Sequence, residues 1–252
     1  MTTTSGTEKI DLGTHRLRVR SSGSGARTFV CLPGLADTLE AWDAVAAKLE
    51  GAGRVVSIDP RAHGDSTAPE GACSRADLAA DLLAVLDRLG VAKVVVIGHG
   101  VGGVVALTAA LSSPSRVEGL VLVATPCQLD DREARWFRDV IRAGEVNALE
   151  GLARGIHGPT SRNKVEGDAR GIVEVAKMAL GLHQDPLTPR LGEIACPTLV
   201  LVGERDAAAK QGSELLAQRI TGARLQVIPG AGREAHIEAP DAVANAIRTS
   251  AA

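Results

Sequence analysis

Short apolar runs rich in β-branched residues alternate along this chain with longer amphipathic stretches, and that alternation limits the fold more than any other feature. Thr28 to Leu32, Arg54 to Ile58, Lys93 to Ile97, Val117 to Val123, Thr198 to Val202 and Arg224 to Ile228 each read as a strand. Turn residues stop several of them, as at Pro33-Gly34 and Asp59-Pro60. Between them lie stretches with helical spacing. Ser74 to Leu89 places Leu78, Leu82, Leu83, Leu86 and Leu89 on one face, with Ser74 as N-cap, and Val101 to Leu111 reads as a second helix. Strands that alternate with helices predict an α/β fold around a mostly parallel sheet flanked by helices. Ile10 to Leu12 and Leu17 to Arg20 read as a hairpin about Gly13.

The alternation fails once. From Cys127 to Leu191 no strand is legible, and helical patterns run over Arg132 to Ala143, Ala148 to Gly155 and Ile172 to Leu182, with Gly-Pro at 158 and 159. The expected organisation is therefore a core of residues 1–126 and 192–252 with a helical insertion, 127–191, placed as a cap (lid).

Charge and composition narrow the function classes. With 28 Lys and Arg against 30 Asp and Glu, the net charge is −2, which argues against binding nucleic acid or an anionic membrane through bulk charge. There is no Tyr, and only two Trp and two Phe, too few for base-stacking platforms. No apolar stretch reaches the roughly 20 residues of a membrane helix. Met1 to Gly6 are Thr-rich and lack the apolar segment of a secretion signal. A cytoplasmic location with reduced thiols is the expectation, because Cys31, Cys73, Cys127 and Cys196 are scattered and show no metal-ligand spacing. No metal and no cofactor are implied; the expected partner is a small-molecule substrate, with a homodimer possible.

The segment Val94-Val95-Val96-Ile97-Gly98-His99-Gly100-Val101-Gly102-Gly103 ends a strand and opens a helix. Gly98, Gly100 and Gly103 satisfy G-x-G-x-x-G, but a dinucleotide site needs an acid at the end of the next strand. That strand ends Val123-Ala124-Thr125-Pro126, and the motif sits mid-chain.

The same segment resembles a nucleophile elbow, G-x-S-x-G, with Gly100 at the serine position. Three further stretches join it in order along nearly the whole chain. These are Asp59-Pro60-Arg61-Ala62-His63-Gly64-Asp65-Ser66, then Cys196-Pro197 with Gly203-Glu204-Arg205-Asp206, then Pro229-Gly230-Ala231-Gly232 with Glu238-Ala239-Pro240. Together they resemble the α/β-hydrolase superfamily. The resemblance implies that Leu35, in Pro33-Gly34-Leu35, and Val101 supply oxyanion-hole amides. It also implies that Asp206 takes the place of the triad acid and that Arg233 stands where the histidine belongs.

Glycine carries no nucleophile and arginine stays protonated, so ordinary serine-type hydrolysis is not expected. Two roles stand open for Arg233, a structural ion pair with Asp206 or a hold on a substrate carboxylate or oxyanion. His236, three residues on, is a candidate displaced base. His63 and His99 read as scaffold; His157 and His183 fall in the insertion, and His15 in the first hairpin. Cys127 reads as an apolar filler. Trp42, Trp136 and Phe137 are candidate substrate contacts. Three functions stay open: a non-hydrolytic, cofactor-independent enzyme (lyase, cyclase, isomerase or decarboxylase) on a carbonyl-bearing small molecule, a catalytically silent ligand-binding protein, or an ester or C–C hydrolase with relocated or engineered catalytic residues.

Overall fold

The computed structural model describes residues 6–158, 160 and 163–251, the side chain of 251 excepted. The Thr-rich start before residue 6 and the proline at 159 lie outside the described residues. Eight strands, β1 (Gly6–Asp11), β2 (Arg16–Ser22), β3 (Thr28–Leu32), β4 (Arg54–Ile58), β5 (Val94–His99), β6 (Val117–Val123), β7 (Thr198–Gly203) and β8 (Arg224–Ile228), form one sheet in the order β1-β2-β4-β3-β5-β6-β7-β8. β1 pairs with β2 and β2 with β4 antiparallel, and every other pairing is parallel.

Parallel strands need both faces covered, which is why the sequence reads as unbroken apolar runs there. All residues of β3, β5 and β7 are buried, whereas β8, at the sheet edge, buries only Ile228. One face packs on α2 (Arg75–Arg88) and α3 (Val101–Ser112), the other on α1 (Asp43–Leu49) and α8 (Pro240–Ala251). α2 begins at Ser74 with a reciprocal capping box to Asp77. The hairpin strands are longer than the sequence reading, because Glu8 and Lys9 pair with Val19 and Arg18 despite being exposed.

Between β6 and β7 the described residues form helices and turns, including α4 (Asp131–His157) and α5 (Ala169–Leu180). The sequence predicts two helices over the first of these. The structure joins them across a kink at Asn147 (φ −121°, ψ 18°) and Ala148 (φ 51°, ψ −133°). α6 (Ala207–Arg219) and the short α7 (Ala235–Glu238) complete the order. No described helix is long and apolar enough to cross a membrane.

Strand order reverses about β3, whose neighbours are β4 and β5, and ligands of open α/β sheets sit at the strand ends beside such a reversal. The loops after β3 and β5 leave the sheet at that place.

Candidate functional site

β5 runs directly into α3 through Gly100, held at φ 52° and ψ −114°. This left-handed conformation favours glycine. Space is not the constraint, since a Cβ on Gly100 meets nothing within 4 Å. At Gly102 space is the constraint: a Cβ there would collide with the carbonyls of Leu32 and Pro33. The start of α3 is therefore drawn tight against the end of β3. Leu35 and Val101 both line one cavity, and neither backbone N–H has an acceptor among the described residues.

The cavity measures about 500 Å³, within the usual range for small-molecule sites. Gly34, Leu35, Gly100 and Val101 line it from the core. Leu129, Trp136, Phe137 and Ile156 line it from the helical segment, and Arg233, Glu234 and Glu238 from the loop after β8. No hydroxyl, thiol or primary amine side chain lines it among the described residues.

Its charges are unevenly matched. Glu238 accepts from the Gly232 N–H and from Arg205, each at 2.9 Å. Asp130 and Glu133 close a capping box at the start of α4: Asp130 Oδ1 accepts the Glu133 N–H at 2.7 Å, and Glu133 Oε2 accepts the Asp130 N–H at 3.0 Å. Asp37 Oδ2 lies 3.7 Å from His99 Nδ1. The guanidinium groups of Arg132 and Arg233 form no ion pair or hydrogen bond among the described residues, although both residues line the cavity. Burial raises the Glu133 carboxyl above its ordinary value, against the pull of the Asp130 amide, Arg233 and Arg132.

The expected ion pair between Asp206 and Arg233 is not formed. Asp206 is buried and caps α6, its Oδ1 accepting the Ala209 N–H at 3.1 Å, while Oδ2 has no donor. Helix capping takes the carboxylate, and the exposed Arg233 stays on the cavity.

His236 also departs from expectation. α7 turns its ring inward, fully buried, between Trp42 (ring centroids 4.3 Å) and His99 (4.5 Å). It does not line the cavity, and burial, then the charge of His99, hold its pKa well below 6.5. Trp42 is likewise fully buried in the α1 and α8 core and does not reach the cavity. Its apolar ring is satisfied beneath the sheet rather than against a ligand.

Trp136 and Phe137 both line the cavity, packed edge to face at 4.8 Å, where neighbouring positions on a helix predict only one. His63 is buried, its Nδ1 2.9 Å from the Arg61 carbonyl, and Cys127 is buried with its thiol pKa raised by that burial. All four cysteines are free. Among the described residues, no group of three or more His, Cys, Asp or Glu is placed to hold a metal ion.

Arg132, Glu133 and Asp37 line the cavity and were not singled out by the sequence reading. The Asp130-x-x-Glu133 spacing is a legible helix start, but only the folded structure shows that this end of α4 lines the cavity.

A family model described as "Alpha/beta hydrolase family" matches residues 29–246. A Bacillus subtilis (strain 168) protein, provisionally named a 2-succinyl-6-hydroxy-2,4-cyclohexadiene-1-carboxylate synthase, is 27% identical over 250 residues, covering 89% of this chain and 90% of its own. The crystal structure of the enol-lactonase from Burkholderia xenovorans LB400 superposes with a TM-score of 0.87 at 25% identity, over 97% of this chain and 99% of the other. A malate-bound structure of a thermophilic esterase from Thermogutta terrifontis gives 0.83 at 28% identity, over 97% of each chain.

Proposed function

The chain belongs to the alpha/beta hydrolase family, and from that premise we propose that it is a cofactor-independent enzyme working without a covalent nucleophile on a carbonyl-bearing carboxylic acid. The observation that carries this reading is the cavity floor. Gly100 keeps the backbone of a nucleophile elbow beside two amides with no acceptor among the described residues, and the described lining offers no hydroxyl, thiol or amine. On this reading Gly100 and Arg233 replace two members of the family's triad.

Amide donors aimed at a carbonyl oxygen stabilise the negative charge that develops there whether or not an acyl-enzyme forms. A lyase, isomerase, cyclase or decarboxylase passing through an enolate needs that stabilisation and needs no nucleophile. The notch left at Gly100 gives the substrate the room a side chain would take. Arg132 and Arg233 supply positive charge for a carboxylate, and guanidinium is suited to that planar partner. Two relatives support the acid class in their own descriptions, one bearing a carboxylate synthase's name and one crystallised with malate. A relocated-nucleophile hydrolase finds no support among the described cavity residues.

The test is calorimetric titration with sodium malate and, separately, dimethyl malate. The reading predicts that the free acid binds and that the diester binds at least about tenfold more weakly. It also predicts that Arg233→Ala abolishes the difference. Equal binding of acid and diester overturns the carboxylate reading.

A further inference from the structure

We infer that Glu133, carried over the cavity by α4, is the acid–base residue of this site, taking a proton from the carbon next to the substrate carbonyl. The inference rests on the non-hydrolytic reading above and names the group that reading leaves unassigned.

The cavity needs a proton acceptor, and its ionisable groups reduce to few. Arg132 and Arg233 remain protonated. Both ring nitrogens of His99 are buried away from solvent, and His236 lies outside the cavity. Glu238 is committed to Arg205 and the Gly232 amide. Asp37 sits on the core loop beside the Leu35 amide that would bind the carbonyl oxygen, facing His99. His157 stands with Nδ1 3.4 Å from the Asn163 side-chain nitrogen, an arrangement that leaves the remaining ring nitrogen of a neutral imidazole as a donor.

Glu133 differs in three ways. It comes from the helical segment, whereas Leu35 and Val101 line the same cavity from the core. One of its oxygens is fixed by the Asp130 N–H at 3.0 Å, which orients the carboxylate, and the second oxygen has no hydrogen-bond partner among the described residues. Its surroundings are mixed: half-burial and Asp130 disfavour the charged form, while Arg233 and Arg132 favour it. Of the other ionisable groups on the cavity wall, Asp130 is engaged by the Glu133 N–H at 2.7 Å, and no hydrogen bond among the described residues orients the Glu234 side chain. A carboxyl that burial raises above its ordinary value is a better proton acceptor than a solvated one.

The step balances within the site. The Cα–H proton passes to a Glu133 oxygen, and its bonding pair forms a carbon–carbon double bond. The carbonyl π pair moves to oxygen, where the Leu35 and Val101 N–H groups receive it. Return of the proton regenerates the ketone or its isomer.

Structural and catalytic roles of Glu133 separate cleanly, because Gln serves a capping box as Glu does. The experiment follows exchange of the C3 protons of oxaloacetate, a ketone flanked by two carboxylates, in D₂O by NMR. The unsubstituted protein is expected to exchange them above the buffer rate, with a limb lost on acidification. Glu133→Gln is expected to keep its thermal midpoint and lose about 100-fold in rate together with that limb. Glu133→Asp, which keeps the carboxylate one methylene back, is expected to fall between them. Exchange at the full rate in Glu133→Gln overturns the assignment alone. No exchange by the unsubstituted protein overturns the enzyme reading and the assignment with it.

Discussion

The imidazoles of His99 and His236 stand 4.5 Å apart, both buried; His99 lines the cavity and His236 does not. Neither ring nitrogen of either residue has a hydrogen-bond partner among the described residues. Trp42 closes the other side of His236 at 4.3 Å. This stack turns a histidine that the sequence offers as a base into a piece of the core, and it makes the fold sensitive to acid.

The direction follows from linkage. Burial, then the charge of His99, depress the pKa of His236 well below 6.5, and burial depresses that of His63 too. The unfolded chain therefore binds more protons than the folded one below about pH 6.5. Stability is full above that pH and falls as pH drops through the window, by up to about 1.4 kcal/mol per pH unit for each such group. Urea unfolding at pH 7.5, 6.5 and 5.5 checks this. His236→Leu is expected to shrink the acid loss; an unchanged slope contradicts the role given to the stack.

Gly100→Ser meets an open space but a left-handed backbone. The single change is expected to cost about 1–2 kcal/mol in thermal or urea unfolding without creating an esterase, because no imidazole base accompanies it. Combined with Arg233→His, it is expected to release p-nitrophenol from p-nitrophenyl acetate with a burst. Absence of activity in a folded double variant counts against a preserved oxyanion site.

The two neighbouring rings of α4 are expected to separate binding from stability. Trp136 is 36% exposed and Phe137 is 5% exposed within the main core. Trp136→Ala is expected to weaken malate binding several-fold at a stability cost below about 1 kcal/mol. Phe137→Ala is expected to cost about 3 kcal/mol or more. Equal loss of both properties in Trp136→Ala contradicts its placement as a ligand contact.

Beneath the turn after β4, Arg61 grips Asp81 through two hydrogen bonds of 2.7 Å, both residues buried. Asp81→Asn leaves the guanidinium charge buried without its counter-ion. The expected cost is about 3–5 kcal/mol. Chemical unfolding measures it, and a loss under about 1 kcal/mol contradicts the pair's structural weight.

Much of the sheet is legible in the sequence because burial on both faces writes itself as runs such as Val94 to Ile97. The elbow is legible because its glycines suit its geometry, Gly100 the left-handed φ and Gly102 the close contact with the end of β3. Less legible is what side chains do after the turns. Asp206 and Arg233 are adjacent in motif logic, yet capping of α6 takes the carboxylate and solvent keeps the guanidinium. Trp42 follows the oxyanion loop in sequence and still ends in the opposite layer. Glu133 shows in sequence only as a helix start; its place over the cavity depends on how α4 packs across 127–191, which no local pattern encodes.

Intact-mass measurement after incubation with a fluorophosphonate tests the nucleophile-free reading most directly. The unsubstituted protein is predicted to keep its mass, while the Gly100→Ser, Arg233→His variant gains one adduct. A stoichiometric adduct on the unsubstituted protein would place an activated nucleophile in the chain and contradict that reading.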